Sequence, residues 1–105
     1  DLTASSIERF PNPQSRIIAA IMSLTKPLAK LFHQVEQSVV SLNFKPMNRP
    51  LRPHITLCRT PKDASMHIDP IAIADHIIPV KELILYHSKP AERGNVYIPV
   101  QRFLL

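Results

Sequence analysis

The chain has 105 residues, 13 Lys and Arg against 8 Asp and Glu, and a formal net charge of +5 at pH 7. That length bounds it to one small domain or part of one, with about two-thirds of the unfolded surface to bury in a single modest core. A composition 45% hydrophobic and 20% charged argues against disorder, and no apolar run approaches the roughly 20 residues of a membrane helix.

Eleven prolines and a single glycine predict short elements joined by stiff loops. Ile7–Phe10 reads as a short strand, ended by the rigid turn Phe10-Pro11-Asn12-Pro13. Arg16–Met22 is β-branched, continuous and bounded by turn signals, the pattern of a buried strand. Thr25 is placed to cap a helix, and Pro27 is tolerated in a first turn. Through Leu42, the residues Leu28, Leu31, Phe32, Val35, Val39 and Leu42 fall on one helical face, which predicts one stripe packed on a sheet. His33 falls off that stripe and reads as a surface residue.

Asn43–Pro53 is rich in proline and arginine and predicts an extended loop. His54–Arg59 is a short strand, and strict alternation puts His54, Thr56 and Cys58 on one face and Ile55, Leu57 and Arg59 on the other. Thr60–Pro70 is a polar loop. Ile71–Ile78, interrupted by Asp75-His76, reads as an edge strand or an irregular crossing. Val80–Ser88 and Val96–Leu105 read as a hairpin whose connection, Lys89–Asn95, holds Gly94 where a positive φ is needed. The fold class expected is α+β: an antiparallel sheet with one main packed helix.

The lone Cys58 leaves no disulfide framework and no multi-cysteine zinc site, and makes a reducing, cytoplasmic compartment the default. Beside His54, a small apolar buried role is expected for it. His67-Ile68-Asp69 and Asp75-His76 match no zinc spacing, so no metal is assigned. The positive charge attracts phosphate groups, whether of nucleic acid, nucleotides or anionic lipid, and serves solubility equally well.

Pro53-His54-Ile55-Thr56-Leu57-Cys58-Arg59 is the segment that carries chemistry. A His and a Thr two apart on a strand address one ligand together. Imidazole gives or takes a proton near neutral pH, and the hydroxyl bonds a phosphate oxygen. Arg59 suits bidentate phosphate contact if the strand bends or ends there, and Arg52, in the loop entering the motif, reads equally as a contact to a phosphate-bearing ligand or as an ordinary surface arginine. His-x-Thr alone is a weak pattern.

The longer run Asn48–Arg59 closely resembles the second signature of the LigT-like two-histidine phosphoesterases, the RNA 2′,3′-cyclic phosphodiesterases (2′-5′ RNA ligases) above all. Phe10-Pro11, the strand at Arg16, the helix Thr25–Leu42 and Glu82–Ser88 followed by Tyr97 resemble its surrounding elements in order. The resemblance implies a two-lobed domain, each lobe giving one His-x-Thr/Ser motif to a cleft. One histidine would act as general base and the other as general acid, the hydroxyls would hold the phosphate, and no metal or cofactor would take part. The site residues implied are His54 and Thr56 as catalytic, with Arg59 and Arg52 binding substrate. The partners implied are RNA with 2′,3′-cyclic phosphate ends, or cyclic nucleotides.

This chain carries one such motif. His33, His67, His76 and His87 have no Thr or Ser two positions on. With no initiator methionine at Asp1, residues 1–105 are expected to be the C-terminal lobe of a longer protein, whose N-terminal lobe is the missing partner. A homodimer that pairs two copies of His54 is disfavoured, because the family's lobes share one chain. The competing reading is a non-catalytic RNA- or nucleotide-binding module.

Overall fold

The computed structural model describes residues 1–61 and 69–105. Four antiparallel strands, β1 (Leu2–Phe10), β2 (Ile17–Met22), β3 (His54–Arg59) and β4 (Ile71–Ile78), form one sheet in the order β3-β2-β1-β4. The helix α1 (Lys26–Ser41) links β2 to the loop before β3. Strands β5 (Glu82–Ala91) and β6 (Gly94–Leu104) pair only with each other. The α+β class expected from the sequence is the class observed. His67 and most of the Thr60–Pro70 loop lie outside the described residues.

Strand β1 starts five residues earlier than the apolar run Ile7–Phe10 indicates, at Leu2. It lies between β2 and β4, so Ala4 and Ser6 gain ladder partners on both sides, with the register shifting at Ser5 between them, and pairing overrides local propensity. Asp75 and His76 do not interrupt β4, because an edge strand leaves them exposed to water.

Thr25 caps α1 as its position predicts: its Oγ1 accepts from the Leu28 N–H at 3.3 Å. The other end closes with a Schellman motif. Asn43 takes a left-handed φ of 71°, its N–H donates to the Val40 carbonyl, and the Phe44 N–H donates to that of Val39. Asparagine tolerates that conformation better than other residues with a Cβ.

The helix stripe is less covered than its pattern indicates. Leu28, Leu31 and Phe32 are half-buried, while Val35, Val39 and Leu42 are exposed. Leu31, Val35 and Val39 face Leu83, Phe103 and Leu105 of the hairpin across a groove of about 520 Å³. Among the described residues the buried apolar side chains are only Ala4, Ala19 and Met22. The strand at Arg16–Met22, expected to be buried, is therefore covered in part: its isoleucines are half-exposed.

The hairpin connection is tighter than the seven residues expected. Pairing continues to Ala91 opposite Gly94, leaving Glu92 and Arg93 at the tip. Gly94 carries φ +82°, the left-handed residue that closes such a turn without a Cβ penalty. Both strands are exposed over most of their length, and the one ion pair described across them, Arg102 to Glu82 at 2.7 Å, is itself solvent-facing. Such a pair contributes at most about 1 kcal/mol.

The accessible surface is 8667 Å², against about 6,000 Å² for a closed monomer of this mass. The radius of gyration is 15.8 Å, against about 13 Å for a compact domain of this length. Both numbers describe a loosely packed chain rather than a closed core. No described helix is long and apolar enough to cross a membrane. With so little tertiary burial, helix α1 leans on its caps. Thr25→Ala is expected to cost about 1 kcal/mol, read as a lower urea midpoint at an unchanged m-value, with Thr25→Ser close to neutral.

Candidate active site

The register across β1, β2 and β3 assigns each side chain a face, because directly paired residues point the same way. Ser6, Ile21 and His54 form one row, Glu8, Ala19 and Thr56 a second, and Phe10, Ile17 and Arg59 a third, all on one face. Ile7, Ala20 and Ile55, then Arg9, Ile18 and Cys58, take the other face.

That arrangement differs from strict alternation, and the difference is a β-bulge. Thr56 pairs with Ala19 and Cys58 with Ile18, so Leu57 has no partner of its own. One extra residue reverses every later side chain. Arg59, expected opposite His54 and Thr56, therefore joins them, and Cys58 leaves their face. Cys58 is also exposed rather than buried, on the strand at the edge of the sheet.

Both ends of β3 are fastened. At the start, the Met22 N–H donates to the Pro53 carbonyl at 3.1 Å. At the finish, Thr60 N–H donates to the Arg16 carbonyl at 2.7 Å, and Arg16 Nε returns a bond to the Thr60 carbonyl at 3.1 Å. Buried Arg9 adds Nη1 contacts to the Ser15 carbonyl at 2.8 Å and Thr60 Oγ1 at 3.2 Å. Its charge is thus hydrogen-bonded where burial would otherwise be costly.

His54 Nδ1 lies 2.8 Å from the Arg52 carbonyl oxygen. A carbonyl only accepts, so Nδ1 carries the hydrogen and Nε2 is the ring atom left to act. Neutral, Nε2 offers a lone pair; protonated, it offers a proton. The imidazole is exposed, as are Thr56 and Arg59. The positive groups on or beside this face are Arg59 and Arg52, and Glu8 is the carboxylate in the same three rows. The arrangement offers an anion a guanidinium, a hydroxyl and an imidazole from one strand.

Arg52 is tied down. Its Nη1 donates to the Pro11 carbonyl at 2.8 Å, and its guanidinium carbon lies 4.6 Å from the centre of the Phe10 ring. Phe10 in turn stacks on His54, with ring centroids 3.9 Å apart and planes 22° from parallel. In the sequence Phe10 was legible as a strand end and turn residue, with no site role assigned to it. Nothing in the local pattern joins it to His54, since the contact depends on the register of three strands.

The other histidines among the described residues stand elsewhere. His33 is exposed on α1, as its helical position predicts; His76 is exposed on β4 and His87 on β5. Tyr86 and Tyr97 meet edge to face across the hairpin at 6.1 Å, both largely exposed. Among the described residues no cluster of three or more His, Cys, Asp or Glu is arranged to hold a metal.

The model of the LigT-like phosphoesterases matches residues 21–97, from the end of β2 through the site strand and into β6. With an antiparallel α+β fold and a His-x-Thr strand at the sheet edge, the chain belongs to the LigT-like phosphoesterase family. No curated protein and no solved structure matches it. The matched span contains His54, Thr56 and Arg59, whereas β1 and Phe10 precede it.

The diagonal from Phe10 to His54 passes over Ala19, the central residue of the nine on this face, and Ala19 is fully buried. A methyl group leaves room there for two rings to meet. Ala19→Leu is expected to destabilise the fold by about 1–3 kcal/mol through overpacking, measured by chemical denaturation. A neutral result would mean that the face is open at its centre.

Proposed function

We propose that the chain carries one half of the active site of an RNA 2′,3′-cyclic phosphodiesterase, with His54 and Thr56 as its catalytic pair and Arg59 as a phosphate-binding residue. The observation that carries this reading is the common face: the bulge at Leu57 brings Arg59 beside Thr56 and His54 on a strand fastened at both ends. Family membership supplies the reaction class.

In this mechanism Thr56 Oγ1 and the Arg59 guanidinium hold the non-bridging phosphate oxygens, and charge-assisted contacts of that kind are the stronger hydrogen bonds. Water attacks phosphorus in line with the ribose 3′-oxygen. One histidine takes the water proton, the P–O3′ bond breaks, and the other histidine protonates O3′. The product is a 2′-phosphate beside a 3′-hydroxyl. His54 Nε2 serves as base when neutral and as acid when protonated. An attacking and a leaving oxygen lie on opposite sides of phosphorus, so one imidazole does not serve both. The complementary histidine belongs to the N-terminal lobe proposed as the partner, and that lobe would cover part of the exposed apolar surface. Arg52 has guanidinium N–H groups beyond the one given to Pro11, and these are proposed to meet the RNA backbone near the cyclic end. Joining RNA ends by a 2′-5′ linkage is the same displacement with the 5′-hydroxyl of a second RNA end attacking in place of water: its proton goes to the base, the P–O3′ bond breaks and O3′ is protonated.

The decisive assay offers the chain an RNA oligonucleotide ending in a 2′,3′-cyclic phosphate, first alone and then fused to a lobe bearing the second His-x-Thr/Ser motif. The chain alone is expected to show little turnover. In the completed protein, His54→Ala is expected to lower kcat/KM by about 10²–10⁴-fold, the usual worth of general acid–base help. Unchanged hydrolysis in that variant sinks the assignment. Tight binding of the cyclic end with no turnover in the completed protein would favour the non-catalytic binding module instead.

A further inference from the structure

We propose that Phe10 is a positioning residue for His54: its ring and the Arg52 main chain together hold the imidazole in the Nδ1–H form, with Nε2 turned to the phosphate-binding side. This inference rests on the reading of His54 as the acid–base group. It extends that reading to a residue of β1, a strand outside the span that matches the family.

Three contacts close a triangle. The imidazole stacks on Phe10 at 3.9 Å, its Nδ1 reaches the Arg52 carbonyl at 2.8 Å, and the Arg52 guanidinium lies 4.6 Å from the Phe10 centroid. The Arg52 Nη1 bond to the Pro11 carbonyl ties the same loop to the residue after Phe10. Arg52 therefore acts twice, with its main chain on His54 and its side chain on the end of β1.

Each contact restricts a different motion. A neutral imidazole in water prefers the Nε2–H form, which would point a hydrogen where a base needs a lone pair. The Arg52 carbonyl reverses that preference only while the ring keeps the orientation that aims Nδ1 at it. His54 is exposed and sits on an edge strand, so burial does not hold the ring and the Arg52 carbonyl is its hydrogen-bonded restraint. Phe10 supplies the wall. Its flat face opposes rotation out of the stacked plane, and the guanidinium over that ring adds a cation–π contact that keeps wall and loop together. Fully buried Ala19 beneath the pair leaves the space for this approach.

The test is the ring-nitrogen spectrum of the 105-residue chain, recorded by ¹⁵N NMR at a pH where the histidines are neutral. The expected wild-type result is an Nδ1–H signature for His54, with its ring protons shifted upfield by the Phe10 current relative to exposed His33 and His87. Phe10→Leu keeps an apolar side chain but removes the stack, and His54 is then expected to revert to the Nε2–H form with the upfield shift lost. Phe10→Tyr is expected to restore both. Backbone amide shifts of β1 and β2 report whether each variant is folded. The wild-type spectrum decides even if a variant is not: an Nε2–H signature or unshifted ring protons there overturns the proposal. So does a folded Phe10→Leu variant with an unchanged His54 spectrum. The effect of His54→Ala on turnover tests the catalytic reading by a separate measurement, so failure of one is distinguishable from failure of the other.

Discussion

The unpaired residue Leu57 is the feature on which the site depends. A six-residue strand with regular pairing would present His54 and Thr56 to one side and Arg59 to the other. The extra residue costs one step of register and returns the guanidinium to the face of the imidazole and hydroxyl. Thr60, bonded to both Arg16 and Arg9, holds the strand just past that point, and Pro53 is held by Met22 just before it. The bulge is thus confined between two fastened ends.

The same strand lies at the edge of the sheet, which leaves the site open on its outer side. The rest of the molecule is similarly open. Helix α1 and the hairpin turn apolar side chains toward a groove, and Val96, Val100 and Leu104 of β6 are exposed. A two-stranded hairpin is marginal by itself in water, and this one has no hydrogen-bonded neighbour in the sheet. The acid–base reaction proposed at phosphorus needs groups on two sides of the substrate, and the described site strand presents one wall carrying His54. The uncovered apolar surface and the single motif are therefore structural and chemical aspects of the same proposed half-site.

Much was legible from local chemistry. Thr25 and Pro27 marked the start of α1, and the apolar stripe marked its face. The turn at Phe10-Pro11-Asn12-Pro13 and the strand His54–Arg59 stand where turn residues and β-branched residues predict them. Gly94 takes the positive φ that its place in the hairpin requires. These features are set by a few neighbouring residues each, so one sequence is enough to find them. The lengths of β1 and the hairpin strands were not legible, because cross-strand bonds extend a strand past its apolar run. Burial was overstated at the strand Ile17–Met22, along α1 and at Cys58, since periodicity marks a face as apolar without saying what covers it.

The sequence by itself determined the α+β class, the helix and its cap, and the His-x-Thr strand with its family resemblance, because each is written in residue type at short spacing. Tertiary structure alone decided the faces of Cys58 and Arg59, and the meeting of Phe10, Arg52 and His54. The faces turn on a single unpaired residue, which shifts the register without any glycine or proline to announce it. The meeting needs three strands paired in one register, so that opposite corners of one face come within reach, a long-range geometry that no local pattern encodes.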